Sequence, residues 1–347
     1  MTAPLAHPTR DTATDFVRLD RVTKIFAPEV PLTRRIAGLF GAEIDLRILR
    51  AVDAVDLTIA RGEALGLVGE SGCGKSTLGR VLAGIHRADE GTVEIDGAAV
   101  ADRDGRKLTT RVQTVFQDPF ASLDPRMRIG ETIAEGPIAH GLVRRREAAA
   151  TVADWLRRVG LDPAFAKSFP HQFSGGQRQR VAIARALAMK PDVIVCDEPV
   201  ASLDVSIQAQ IVNLFLKLRR DLGLTLLFIS HDLGVVRHLC DRVAIMYLGR
   251  IVEVGPAAAI WRNPRHPYTR ALLDSVPKLR LAGAPTPVIP ISGELPSPLS
   301  PPKGCHFHPR CPIAVERCRT VRPPLVRTVD GRDVACHLAD APTPAPL

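Results

Sequence analysis

Aromatic residues, long apolar runs and charge blocks are all scarce in this sequence. Phe, Trp and Tyr make up 4% of 347 residues, too few for a platform on which single-stranded nucleic acid stacks its bases. No apolar stretch reaches the roughly 18 residues needed to span a bilayer. The opening MTAPLAHPTRDTATDF also lacks the apolar core of a secretory signal, so a cytosolic chain is expected. Lys plus Arg total 46 against 37 Asp plus Glu, a net charge of +9, yet only Arg144-Arg145-Arg146 forms a run. That balance permits contact with nucleic acid or an anionic membrane surface and requires neither.

Cysteine is sparse and uneven. Cys73, Cys196 and Cys240 are scattered, whereas Cys305, Cys311, Cys318 and Cys336 crowd the C-terminal end. In a reducing compartment such a cluster points to metal before disulfides. Four thiolates suit a tetrahedral Zn²⁺ site or an iron-sulfur cluster. The spacing lacks the CxxC hairpins usual for zinc, and unligated thiols are the remaining alternative.

The length suits one large domain plus an appendage, or two modest domains. Residues 1–15 read as disordered. Phe16-Val17-Arg18-Leu19 and Val55-Asp56-Leu57-Thr58-Ile59 read as strands, separated by an amphipathic insert at 28–50. That insert is either a short helix packed on its own domain or a membrane or partner contact. Three further apolar runs each stop at residues fit for chemistry: Leu65–Val68 before Gly69, Val193–Cys196 before Asp197-Glu198, and Leu226–Ile229 before Ser230-His231. Uninterrupted apolar strands between helices imply an α/β fold with a mainly parallel sheet, whose ligands bind at the carboxyl ends of the strands. From Gln117 to about Lys190 the pattern is helical, including 147–159. Val243–Val254, broken at Leu248-Gly249, reads as a hairpin. Prolines from 285 to 302 favour an extended linker, and the last residues read as a loose tail.

Gly69-Glu70-Ser71-Gly72-Cys73-Gly74-Lys75-Ser76 has the form GxxxxGK[ST] directly after a strand. In such a loop backbone N–H groups wrap phosphates, the lysine reaches the β and γ phosphates, and the Ser76 hydroxyl sits on Mg²⁺. Thr77 can add a hydrogen bond on the α-phosphate side. Asp197, at the end of an apolar strand, is placed to hold Mg²⁺ through water, and Glu198 to polarise an attacking water. Gln117, at a strand-to-loop junction, can bond the metal or that water.

The run QFSGGQRQRVAIARAL from 172 to 187 carries the most information. Ser174 with Gln177 fits an ordinary capping box. The Gly175-Gly176 pair, however, costs helix stability and is better explained by close backbone approach to an anion at a helix N-terminus.

With these motifs and Ser202-Leu203-Asp204 in order, residues 16–255 resemble an ABC-type P-loop ATPase with a helical subdomain inserted at about 118–190. The resemblance makes Gln117 the Q-loop glutamine, Ser174-Gly175-Gly176-Gln177 the signature, Asp204 of Ser202-Leu203-Asp204 the D-loop residue and His231 the switch histidine. It also makes Phe26 a candidate for stacking on adenine, with a core strand residue as the alternative. Such domains work as pairs, each ATP lying between the phosphate loop of one and the signature of the other.

A narrower resemblance covers 256–340, ahead of a tail at 341–347. NPRHPYTRALL from Asn263, GELPSP from Gly293 and GCHFHPRCP from Gly304 resemble the C-terminal extension of ATPases serving peptide importers, a group that also includes importers of nickel and other small solutes. Similar tails in that group hold a 4Fe-4S cluster, with Cys305, Cys311, Cys318 and Cys336 the matching residues here. The expected activity is hydrolysis of ATP with Mg²⁺, coupled to peptide import. Expected partners are a sister ATPase, two transmembrane permease subunits and an extracytoplasmic solute-binding protein, at the cytoplasmic face of the membrane. A soluble ABC ATPase acting on nucleic acid or ribosomes is the rival reading. Only about 120 residues separate the phosphate loop from Asp197, too few for a long coiled coil, and the chain has one ATPase core, so nucleic acid is not an expected partner.

Overall fold

The computed structural model describes residues 15–27, 48–102, 104–275 and 293–339. Most of the expected disordered N-terminus, the insert up to residue 47, the linker before 293 and the final tail lie outside these residues.

The central sheet has the strand order β11-β12-β10-β9-β3-β8-β7-β6. Its strands are β3 (Ala64–Val68), β6 (Val112–Val115), β7 (Val193–Asp197), β8 (Thr225–Ile229), β9 (Arg242–Tyr247), β10 (Arg250–Pro256), β11 (Val326–Arg327) and β12 (Asp333–Val334). The pairs β6/β7, β7/β8, β8/β3 and β3/β9 are parallel, as the apolar runs imply. The β9/β10 pair is the expected hairpin, turning at Leu248-Gly249. β3, β7 and β8 are buried throughout.

Their successive side chains divide between two cores, as strand geometry demands. Ala64, Ile194, Cys196, Leu226 and Phe228 face the helices and the C-terminal segment. Leu65, Leu67, Val193, Val195, Leu227 and Ile229 face a second sheet and the helix Lys75–Leu82. That second sheet is antiparallel, in the order β2-β1-β4-β5, from β1 (Asp15–Phe26), β2 (Leu49–Ala60), β4 (Glu90–Ile95) and β5 (Ala98–Ala99). Between β6 and β7 every regular element is helical, notably Ile129–Ala139, Ala148–Arg158 and Gly175–Ala188.

The C-terminal segment adds β12 to the central sheet through β10, with Glu253 opposite Val334. Arg332 reaches under it to Glu253 at 3.2 Å, the two side chains being 2% and 0% exposed. The backbone N–H groups of Arg265 and His266 donate to the same carboxylate at 3.0 and 2.9 Å. A charge this deep persists only when paired and hydrogen-bonded. No helix among the described residues is long and apolar enough to cross a membrane.

Candidate nucleotide site

The parallel strands deliver their polar residues to one edge. After β3 the chain turns through Gly69–Gly74 into the helix Lys75–Leu82. Gly74 stands at φ 107°, and a Cβ there would lie 2.1 Å from the Ala51 carbonyl oxygen. Gly69 is excluded from substitution by space alone, since its Cβ would lie 2.1 Å from the Met246 carbonyl oxygen. The Lys75 ammonium is buried and donates to the carbonyl oxygens of Gly69 and Glu70 at 2.8 and 2.9 Å. Burial pushes the neighbouring Cys73 thiol above its ordinary range, so it stays protonated.

Ser76 Oγ donates to Asp197 Oδ1 at 2.7 Å, tying the start of that helix to the end of β7. A hydroxyl and a carboxylate at this separation are the hard oxygen donors that Mg²⁺ prefers. Glu198, next in the chain, adopts φ 48°, a left-handed conformation that costs a non-glycine residue roughly 1–3 kcal/mol. Its N–H donates to the Ile229 carbonyl at 3.0 Å, which pins the kink against β8. Glu198 Oε2 accepts from Gln117 Nε2 at 3.2 Å and faces His231 Nδ1 at 3.2 Å. One carboxylate oxygen thus gathers residues from the ends of β6, β7 and β8.

An open pocket runs from this group to the end of β1. Ser71 to Thr77, Gln117, Glu198 and Phe26 line it, together with Leu49, Arg50, Ala51 and Asp53 of β2 and its approach. Phe26 is 38% exposed, with its ring edge-on to His86 at 5.7 Å, so it is not sealed in the core.

Ser174-Gly175-Gly176-Gln177 and Asp204 do not line this pocket. Ser174 and Gln177 form the reciprocal capping box of the helix Gly175–Ala188, at 3.3 and 3.0 Å. The two glycines differ. Gly176 is buried, and a Cβ on it would meet Ile207 Cγ2 at 2.5 Å, so packing accounts for it. Gly175 is exposed, with its nearest neighbour, Leu203 Cδ2, at an ordinary 3.4 Å. Asp204 is exposed at the start of the helix Val205–Leu222 and makes no side-chain cap.

Sequence reasoning missed a third wall of the pocket. Pro298, Pro301 and His306 line it from the C-terminal segment, together with Leu248 and Gly249. His306 is 6% exposed and lies beside the Leu248 backbone, with which neither ring nitrogen makes a hydrogen bond of full geometry. Burial, with Arg250 and Arg322 nearby, lowers its pKa to about 4 and keeps the ring neutral. Arg310, 8% exposed, donates from both terminal nitrogens to Glu70 of the phosphate loop at 2.8 and 3.0 Å. The backbone N–H of Glu70 donates to Tyr268 Oη at 2.9 Å. The ring of Tyr268 stacks obliquely on that of Tyr247, 4.6 Å away. These are the only two tyrosines of the sequence. No spacing rule connects residue 70 with residues 268 and 310, so sequence carried no signal for this junction.

Cys305, Cys311, Cys318 and Cys336 line a single cavity, with His266, Phe307 and His308 among the other walls. Burial raises the Cys305 and Cys336 thiols and pushes Cys311 up to about 11, with neighbouring thiols acting in the same direction. Among the described residues, however, no three His, Cys, Asp or Glu side chains converge closely enough to hold a metal ion. Zinc, the second alternative for these thiols, has no such group in its support. The thiols surround a shared space without meeting at a point, and the structure supplies no metal-binding group in support of the 4Fe-4S expectation.

The geometry defines a phosphate-binding ATPase edge, and comparison with known proteins assigns its class. The ABC transporter family model matches residues 52–201, and the model of the oligopeptide/dipeptide transporter C-terminal region matches 252–318. The chain belongs to the ATP-binding proteins of ABC transporters and is an ABC-type ATPase.

Its relatives are specific. A putative peptide import ATP-binding protein of Brucella abortus is 56% identical over 84% of this chain and 87% of its own length. The di/tripeptide transport ATP-binding protein DppF of Pseudomonas aeruginosa is 50% identical, and the oligopeptide transport ATP-binding protein AppF of Bacillus subtilis 48%. Each comparison covers 87% of this chain and 93% of the relative. Among solved structures, cbiO1 of Clostridium perfringens, part of an ABC transporter complex, superposes with a TM-score of 0.58 at 27% identity, over 72% of this chain and 92% of that one. A dimeric ATP-binding cassette in a post-hydrolysis state with ADP and Pi superposes with a TM-score of 0.57 at 31% identity, over 70% and 98%.

Proposed function

We propose that this ATPase drives import of di- or oligopeptides, working at the cytoplasmic face of the membrane through two permease subunits fed by an extracytoplasmic solute-binding protein. The observation that carries the catalytic part is Glu198, whose one oxygen is shared by Gln117 and His231 beside the Ser76–Asp197 bond. The relatives named for peptide transport support the substrate class.

In this reading the loop N–H groups from Ser71 to Thr77 bind the phosphates of ATP. Lys75 exchanges its carbonyl partners for the β and γ oxygens, and Phe26 stacks on adenine. Ser76, Asp197 and Gln117 would hold Mg²⁺, which neutralises charge on the β and γ phosphates. Glu198 orients the attacking water and takes its proton, while His231 reaches the γ-phosphate. Gly69 sets the loop's entry, and Asp204 crosses to a second cassette, a sister chain. Ser174-Gly175-Gly176-Gln177 acts on that partner's ATP.

We assign the four-thiol cavity to a 4Fe-4S cluster, because four cysteines line one cavity and four thiolates are the ligand set of such a cluster. Brown colour and iron-sulfur absorbance after anaerobic purification test this. A colourless, metal-free chain of full activity refutes it.

The function is tested by deleting the gene and restoring it as wild type or Glu198→Gln while following uptake of labelled di- and oligopeptides. Uptake restored by wild type alone supports the proposal. Unchanged peptide uptake with lost nickel uptake assigns the chain to a small solute instead.

A further inference from the structure

The residues just outside the phosphate loop show an unusual dependence of the nucleotide pocket on the C-terminal segment. Glu70 is the second residue of that loop, and its carboxylate and its N–H are held from outside the ATPase core, while its carbonyl oxygen accepts from Lys75 within the loop. Its carboxylate receives a two-pronged bond from Arg310, and its N–H donates to Tyr268. Paired guanidinium–carboxylate bonds fix geometry as well as charge, and Arg310 is further held by Tyr247 Oη at 3.4 Å. Four residues before Arg310, His306 enters the pocket wall with no side-chain partner for either ring nitrogen and only the Leu248 backbone beside it, short of full hydrogen-bond geometry. A buried imidazole without partners costs free energy unless something in the pocket supplies them. Its surroundings include the apolar Leu248, Pro298 and Pro301 as well as the charged Arg250, Arg322 and Asp53; the three apolar residues suit the nucleoside part of a nucleotide.

We propose that the C-terminal segment is a working part of the nucleotide site, in which Arg310 positions the phosphate loop through Glu70 and His306 hydrogen-bonds the base or ribose of the bound nucleotide. The proposal rests on the ATPase reading above and adds two residues to its site. Arg310 touches no nucleotide and acts only through Glu70. His306 is a direct contact. The two therefore leave different signatures. Losing Arg310 loosens the loop for any polyphosphate, whereas losing His306 weakens only ligands that carry a nucleoside.

The test is titration of the full-length chain with a fluorescent ATP analogue, displaced by ATP or by inorganic tripolyphosphate, with thermal melting as the control for folding. Arg310→Gln and Glu70→Gln should each weaken ATP and tripolyphosphate alike by about tenfold. The double variant should be no weaker than either single one, because one interaction is lost in all three. Arg310→Lys should recover part of the affinity. His306→Leu should weaken ATP several-fold and leave tripolyphosphate unchanged, and His306→Gln should recover part of the loss. Glu70→Gln, nearly isosteric and on the loop surface, keeps the test informative if Arg310→Gln misfolds. ATP affinity within twofold of wild type in Glu70→Gln and His306→Leu overturns the proposal, as does equal loss of both ligands in His306→Leu. Failure of the wild-type chain to bind ATP would refute the ATPase reading instead.

Discussion

The two signature glycines are adjacent in sequence, yet alanine should act on them in opposite ways. Alanine gains up to about 0.8–1.0 kcal/mol over glycine inside a helix, and both residues lie in the first turn of Gly175–Ala188. At Gly175 the new methyl meets Leu203 at an ordinary 3.4 Å, so Gly175→Ala should be neutral or slightly stabilising. At Gly176 it meets Ile207 Cγ2 at 2.5 Å. Overpacking of that kind costs about 1–3 kcal/mol, so Gly176→Ala should lose up to about 2 kcal/mol after the helix gain, or a few degrees of melting temperature.

Function should divide the other way round from stability. The N–H of the exposed Gly175 has no acceptor within the helix and suits an anion brought by a partner. A methyl on Gly175 blocks that approach. Gly175→Ala should therefore bind ATP as a monomer like wild type and lose hydrolysis in the assembled transporter. Urea unfolding, nucleotide titration of the isolated chain and ATPase assay of the complex measure the three quantities. Weakened ATP binding by the Gly175→Ala monomer, or normal hydrolysis in its complex, would refute the reasoning.

Glu198→Gln should retain ATP binding and lose roughly 10²- to 10⁴-fold in turnover, the range for a general base; near-normal turnover would remove Glu198 from that role. Phe26→Ala should weaken ATP by the equivalent of about 1–3 kcal/mol of stacking while leaving tripolyphosphate affinity intact, and equal loss of both would return Phe26 to a structural role. Hydrogen bonds from Arg332, Thr328 and Arg265 hold the Asp330 carboxyl below its ordinary pKa of 3.8. Because the folded value is the lower one, Asp330 stabilises the fold at neutral pH, and that contribution disappears as pH falls below 3.8. Asp330→Asn should melt earlier than wild type at pH 7, with the gap closing under acid; a gap independent of pH would show that the charge is not responsible.

Those parts of the molecule governed by local patterns were legible in the sequence. Val193–Cys196 and Leu226–Ile229 read as buried strands because both their faces are apolar, and the structure gives each face a different core. The phosphate loop and the carboxylates after β7 followed from the same logic of strand ends. The antiparallel sheet was less legible: β1 and β2 were readable as strands, but their pairing with β4 and β5 depends on contacts distant in sequence. The wall formed by Pro298, Pro301 and His306 was invisible, since each is an ordinary residue whose meaning comes only from position. The cysteine reading placed the four thiols together, and they do line one cavity, but spacing along the chain does not specify how closely they converge.

The Glu253–Arg332 pair bears on how far this ATPase is modular. Its carboxylate sits on β10 and its cation arrives from 79 residues downstream. A chain cut after Pro256 would keep the motifs of an ATP-binding cassette but lose the guanidinium and the two backbone N–H groups that hold the Glu253 carboxylate. It would also lose β12, which covers β10. The shortest form of this protein that keeps the Glu253 contacts therefore extends at least to Val334, and a graft of its first 256 residues onto another C-terminal domain would reproduce them only with a replacement cation and a replacement strand.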